Sequence, residues 1–251
     1  MRIVVIGGTG LIGRRLVELL RDAGHDVAPA APSTGVDTLT GAGLPEALTG
    51  ADVVVDVSNS PSFADEPVMT FFTTSTRNLL AAETAAGVRH HVALSVVGAD
   101  RMPDSGYMRA KIAQERLIEQ SGLPYTILRA TQFFEFLAAM ADAATHGDTV
   151  GAAATALQPV AAADVSAALA DIAVASPRNG REEVAGPVRR PMADFLTRLL
   201  AEQGDPRRVV TDPDAGYFGA RVDDSTLVPA GEARIAGTDL DTWLGRHATA
   251  R

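Results

Sequence analysis

Tyr107-Met108-Arg109-Ala110-Lys111 places a phenol and an ammonium four residues apart. On a helix that spacing sets both groups on one face, where they can serve one site. Lys111 is also the only lysine in the chain; the other 21 of its 22 basic residues are arginines. A neighbouring cation lowers a phenol's pKa from about 10. A compact ammonium also reaches ribose hydroxyls where a planar guanidinium fits poorly. The chemistry expected is proton transfer by Tyr107 at a substrate oxygen, with Lys111 setting its acidity and holding a sugar. An ordinary exposed pair, worth a few tenths of a kcal/mol, is the plain alternative.

A second constellation opens the chain. Gly7-Gly8-Thr9-Gly10-Leu11-Ile12-Gly13 follows a short apolar run directly and precedes an amphipathic one. Glycines at this spacing allow a tight turn, a close backbone approach to a diphosphate, and close packing of helix on strand. The helix N-terminus then presents unpaired N–H groups and a positive dipole end. Gly7, Thr9, Gly10, Leu11, Ile12 and Gly13 are therefore the expected dinucleotide-binding residues; a ligand-free turn is the alternative. The second strand runs into Ala28-Pro29-Ala30-Ala31-Pro32-Ser33-Thr34, with no acid to meet a ribose 2′-hydroxyl. Ser33 and Thr34 as donors, and Arg14 as a cation, favour NADP(H), with NAD(H) left open.

Three further positions follow strand ends, where ligands of parallel sheets bind. Ser95 can hydrogen-bond a substrate carbonyl or cap the next turn. Asn59 can reach the adenosine side of the cofactor or sit in a plain turn. Gln132 and Phe133 can face the substrate, and Phe133, Phe134 and Phe136 can equally be core. The five histidines, His25, His90, His91, His146 and His247, are scattered, so no metal site is expected.

These motifs resemble the short-chain dehydrogenase/reductase superfamily, whose signatures correspond here to Gly7/Gly10/Gly13, Ser95 and Tyr107/Lys111. The sequence is more similar to the atypical, NmrA-like branch. That likeness rests on Gly-Gly-Thr-Gly-Leu-Ile-Gly, on Thr76-Arg77-Asn78-Leu79-Leu80 with Gly87-Val88, on Leu94-Ser95-Val96-Val97-Gly98, and on Gly122-Leu123-Pro124-Tyr125-Thr126-Ile127-Leu128-Arg129. It covers residues 1–135 well and the remainder loosely. It implies a Rossmann fold, a nicotinamide dinucleotide and a small C-terminal substrate region. An asparagine often present in the family's catalytic set falls at Phe72. Hydride transfer to a small hydrophobic carbonyl compound is the activity implied. A redox sensor that binds the cofactor without turnover, or an isomerase or epimerase using the same site, are the alternatives.

The elements that must position these groups alternate. Strands are predicted at Arg2–Ile6, Asp26–Ala30, Asp52–Val57, Arg89–Ser95 and Tyr125–Arg129, and helices at Leu11–Ala23, Val68–Ala86 and Tyr107–Ser121. This pattern predicts an α/β protein with a doubly wound parallel sheet. Helices are predicted again at Gln132–Ala144, Ala161–Ala175, Pro191–Gln203 and Asp239–Arg246. The expectation is a single Rossmann-type domain over 1–251, with a dinucleotide-binding core at 1–130 and a substrate region at 131–251. The net charge of −9 opposes nucleic-acid binding. The absence of cysteine removes thiol chemistry. With no long apolar run and no signal-like start, a cytoplasmic protein is expected. Its partner is a small-molecule substrate, and homo-oligomerisation is left open.

Overall fold

The computed structural model describes residues 1–248. The chain divides into two compact units. The first comprises Met1–Ser95, Gly106–Arg129 and Val165–Glu182; the second comprises Val96–Ser105, Ala130–Asp164 and the segment from Glu183 on. The division is thus interleaved, and not a single cut near residue 130.

In chain order the elements begin β1 (Arg2–Ile6), α1 (Leu11–Asp22), β2 (Asp26–Ala30), α2 (Leu44–Leu48), β3 (Val53–Asp56), α3 (Asp65–Ala86), β4 (His90–Val96), α4 (Gly106–Gln120) and β5 (Tyr125–Ala130). They continue with α5 (Leu137–Ala143), β6 (Thr145–His146), β7 (Thr149–Ala153), β8 (Ala156–Leu157) and α6 (Ala162–Val174). The last are β9 (Gly180–Ala185), β10 (Arg190–Pro191), α7 (Met192–Gln203), β11 (Arg208–Asp212), β12 (Arg234–Ile235) and α8 (Leu240–Ala248). Seven strands form one sheet in the order β12-β9-β5-β4-β3-β1-β2. β1 runs parallel to both β2 and β3, with Ile3 opposite Val27 and Val53. β3 runs parallel to β4 and β12 to β9. This is the doubly wound sheet that the alternation predicts. Chain order reverses at β1, so the ends of β1 and β3 border the crevice where such sheets bind ligands.

β1 is buried on both faces: Ile3, Val4 and Val5 expose nothing. Each such side chain contributes about 1.5–3 kcal/mol when it leaves water. Val4, Ile6 and Val54 pack with Leu44, Leu48, Leu79 and Val88. Ala93 and Ile127 pack with Leu80 and Ile118. α1 turns Ile12, Leu16, Val17 and Leu20 inward, as its apolar stripe requires.

The structure departs from expectation in three places. α3 starts at Asp65 and not Val68, because Pro67 is tolerated in a first turn and Asp65 and Glu66 suit its positive end. α2 is a five-residue helix that carries a proline and was too short to show a period. Residues 132–133 are extended where a helix was predicted. Val160 brackets this segment, its N–H donating to Gln132 O at 2.9 Å and its carbonyl accepting from Phe134 N–H at 3.1 Å. Strand-like pairing thereby overrides the helical pattern up to Phe133, after which a 3-10 turn at Phe134–Phe136 leads into α5. The second unit also holds two small sheets, β11-β7-β6 and β10-β8.

Adjacent histidines on β4 take opposite faces. His91 is buried with its Nδ1 2.9 Å from Glu83 Oε1. Burial opposes charge on that imidazole, yet the carboxylate holds its pKa above the usual value. Burial raises the Glu83 carboxyl. His90 bonds Thr126 Oγ1 at 2.9 Å, and burial, then the charge of His91, push its pKa down to about 4. Between pH 6.5 and 4 the unfolded chain binds a proton at His90 that the folded chain excludes, so this group removes stability as pH falls through that window. The full difference is on the order of 3 kcal/mol. Urea midpoints measured from pH 6.5 to 4.5 should therefore fall more steeply for the native chain than for His90→Gln. Parallel curves would show that His90 carries no such penalty.

Candidate active site

The glycine turn joins β1 to α1. Gly7 N–H donates to Ala30 O at 2.8 Å and Gly10 N–H to Gly7 O at 2.9 Å. Gly7 has φ +77°, a left-handed conformation, and a Cβ there would lie 2.9 Å from the Ser58 backbone. A Cβ on Gly13 would meet Gly7 O and lie 2.7 Å from Gly8 Cα. Gly10 precedes α1 with extended backbone and no side-chain cap, and the first turn of α1 contains no acid. Thr9, Gly10 and Leu11 are exposed there. A bare helix N-terminus beside glycines packed against β3's exit suits a diphosphate. The residues present thus fit a dinucleotide.

No carboxylate ends β2. The turn that follows it leaves Ser33 exposed. Thr34 is committed to that turn: its Oγ1 accepts from Ala31 N at 2.9 Å and donates to Ala31 O. Arg14, at the outer face of α1, is exposed.

Tyr107 opens α4, half-buried among aromatic rings. Phe72 meets its ring edge-on at 5.8 Å between centroids, and Phe63 lies 5.4 Å away on the other contact. Its hydroxyl donates to Asn59 Oδ1 at 3.2 Å. Asn59 also accepts from Ser60 N–H at 3.0 Å. Burial raises the phenol to about 12. This corrects the expectation of a phenol made more acidic by Lys111. Helical spacing brings the two residues to one region, but the ammonium turns elsewhere. Lys111 is 3% exposed. Its Nζ donates to Leu94 O at 2.8 Å and to Gln114 Oε1, and it lies 4.3 Å from the centre of the Phe72 ring. Two of its three protons are bonded within the fold and the Phe72 ring lies against it, so most of its donor capacity is spent away from any ribose in this arrangement. Burial lowers its pKa to about 8, against the opposing pull of Asp56 and Glu115.

Ser95 is likewise corrected. Its one hydroxyl proton goes to Glu115 Oε1 at 2.6 Å, deep in the fold. Glu115 also receives Arg129 Nε at 2.9 Å and Nη2 at 2.7 Å, and Arg181 Nε at 3.0 Å. Ser95 therefore anchors a buried ion network and does not present a proton to a substrate. The alternation of β4 carried the warning. Ser95 shares its face with His91 and Ala93, the face that Glu83 and Ile118 cover.

Phe72, at the place of the family's asparagine, is wholly buried and offers no relay. In the second unit Gln132 is buried with both amide atoms unpartnered, and Phe133 stacks on Phe136 at 5.6 Å. Sequence reasoning missed Asp56 and Gln114. Asp56 is buried; its Oδ1 accepts from Ser58 N at 2.9 Å and Ser58 Oγ at 2.6 Å. Its Oδ2 accepts from Gln114 Nε2 at 3.0 Å. A lone acid closing the run Val53-Val54-Val55-Asp56, and a polar residue three positions after Lys111, were the available signals. Among the described residues no cluster of side chains could hold a metal ion, and no helix is long and apolar enough to cross a membrane.

Comparison with known proteins agrees with this geometry. The (4-alkanoyl-5-oxo-2,5-dihydrofuran-3-yl)methyl phosphate reductase of Streptomyces griseus is 32% identical over 144 residues, 52% of this chain and 48% of that one. The photosystem II assembly factor Ycf39 of Synechocystis is 30% identical over 151 residues, 55% of this chain and 46% of that one. The chain thus spans about half the length of these relatives. A short-chain dehydrogenase/reductase superfamily protein from Agrobacterium tumefaciens, solved with bound NAD, shares the fold with a TM-score of 0.75 at 22% identity, covering 100% of this chain and 97% of that one. A family profile described as NAD(P)H-binding matches residues 7–175, from the first glycine of the turn to the end of α6. The chain belongs to this NAD(P)H-binding family.

Proposed function

We propose that this protein is an NAD(P)H-dependent reductase of a small, hydrophobic carbonyl compound, with Tyr107 as the proton donor. One juxtaposition carries the reading. Gly7 of the turn packs on Ser58, and the next residue, Asn59, holds the Tyr107 hydroxyl. A phenol is thus tethered beside the expected diphosphate cradle. When bound, the dinucleotide supplies the hydride. The turn of Gly7, Thr9, Gly10, Leu11, Ile12 and Gly13 would hold its diphosphate, Gly7, Gly10 and Gly13 by keeping the approach free of side chains and Thr9, Leu11 and Ile12 by backbone at the helix N-terminus. The phenol stays protonated at neutral pH and gives its proton, or a strong hydrogen bond, to the oxygen on which charge develops. The aromatic rings around Tyr107 suit an apolar substrate. The absence of an acid at the end of β2, with Arg14 exposed on α1 and Ser33 exposed in the turn after β2, supports NADP(H) over NAD(H). A cytoplasmic location and a small-molecule partner belong to the same reading. A cofactor-binding sensor is the second reading, favoured by Phe72 in place of a polar relay and by the occupied donors of Lys111.

Two outcomes test this. Tyr107→Phe should lower turnover of a carbonyl panel by about 100-fold or more while leaving the NADPH Kd within about threefold. Unchanged turnover would remove Tyr107 from the chemistry, and a native chain that binds NADPH but turns over nothing would favour the sensor. Gly10→Ala separates ligand from fold. Its backbone suits any residue, and an added Cβ meets nothing nearer than 3.3 Å. Titration calorimetry should show NADPH binding weakened by about tenfold or more, with thermal stability of the ligand-free chain little changed. Equal affinity would place the diphosphate elsewhere.

A further inference from the structure

Gln114 stands between two buried charges of the first unit, Asp56 and Lys111. Its amide nitrogen donates to Asp56 Oδ2 at 3.0 Å and its amide oxygen accepts from Lys111 Nζ. Only 1% of its surface is exposed. An amide has one donating end and one accepting end, and in a sealed site its orientation is set by its neighbours. An ionised carboxylate only accepts, so Asp56 claims the nitrogen and the oxygen must face Lys111. Asp56 is itself fixed, since its other oxygen already takes Ser58 N–H and Oγ–H.

We propose that Asp56 and Gln114 are positioning residues that clamp the sole lysine as a buried cation, the carboxylate fixing the amide so that its oxygen faces Nζ. The groups around that ammonium are few. β3 contributes Asp56, and α4 contributes Glu115, which Arg129 and Arg181 already engage. β4 contributes only the Leu94 carbonyl and α3 only the Phe72 ring. The clamp also links the two halves of the candidate site. The segment from Asp56 to Asn59 bonds Lys111 through Gln114 at one end and Tyr107 at the other, and Ser58 within it supports Gly7. Its bearing on catalysis rests on the reductase reading above; its physical content does not.

The single lysine makes the test direct. The full chain, labelled with 13C at lysine Cε, gives one side-chain lysine signal whose shift can be followed from pH 6 to 10.5 without cofactor or substrate. The native chain should titrate near 8. Asp56→Asn removes the charge and frees the amide to turn its nitrogen toward Lys111, so the midpoint should drop by about one pH unit or more. Gln114→Glu keeps the shape and adds a carboxylate at Nζ, so the midpoint should rise by a similar amount. A general loosening of the fold would move both variants the same way, toward the ordinary lysine value. Opposite shifts support the clamp. Shifts of the same sign, or changes under about 0.3 pH unit in both, would overturn it. Should Asp56→Asn fail to fold, Gln114→Met decides: loss of the amide oxygen from Nζ should lower the midpoint below that of the native chain, whereas a loosened fold would raise it and an unchanged value would overturn the clamp. Turnover with NADPH is measured separately, so an inactive native chain would count against the reductase reading and leave the lysine result intact.

Discussion

The carboxylate of Asp56 sits at the end of β3, sealed from water, at the reversal of a parallel sheet. A buried ion is tolerated only when its lone pairs are taken up. Here two bonds from Ser58 and one from Gln114 do so. The consequence is geometric. The chain leaving β3 is pulled back on itself, which brings Ser58 under Gly7 and Asn59 to the Tyr107 hydroxyl. The glycine turn can approach so closely only because position 7 lacks a side chain, and the phenol is held only because the segment 56–59 is rigid. Cradle, phenol and lysine are therefore not three separate sites on a scaffold; one acid at one strand end registers them against each other.

That arrangement also bears on the direction of reaction. Phe72 and Phe63 surround Tyr107, and the resulting desolvation, with no compensating cation, makes the phenol a weaker acid than usual. Removing its proton at pH 7 costs about 7 kcal/mol at a pKa near 12. As a base it would have to be ionised first, so abstraction of a proton from an alcohol is disfavoured. As the donor in the proposed reduction it is ready, and its hydrogen bond would gain strength as negative charge grew on a substrate oxygen. An unionised phenol thus suits reduction better than oxidation, and it suits an apolar substrate that does not bring water with it.

How much of this the sequence disclosed follows from which interactions are local. Strand–turn–helix patterning is local, so β1, the glycine turn and α1 were legible, as was the alternation that builds the sheet. The i,i+4 spacing of Tyr107 and Lys111 was legible too, but spacing fixes a face and not a rotamer. Where Nζ turns depends on Leu94 and Gln114, and Leu94 lies seventeen residues away on another strand. Ser95 was misread for the same reason, since its partner Glu115 is twenty residues off. The extended segment at 132–133 depends on Val160, which no window around residue 132 contains. In the small sheets of the second unit the two-residue strands β6, β8 and β10 carry no period at all, and the five-residue β7 and β11 hold only one and two large apolar residues.

The solitary lysine in an arginine-rich chain now has a physical account. Its pocket offers two acceptors, the Leu94 carbonyl and the Gln114 amide oxygen, and one aromatic face. An ammonium has three protons and matches that set. A guanidinium has five donors in a fixed plane. Three of them would be left buried without partners, at about 1–3 kcal/mol each. The second difference is electrical. Burial brings Lys111 down to about 8, so its charge can be lost within a modest rise in pH, whereas arginine keeps its charge throughout. The pocket thus selects lysine twice, by donor count and by the capacity to neutralise. Neither criterion applies at exposed arginine positions, and the buried Arg129 has the Glu115 carboxylate to take up donors of its planar fork.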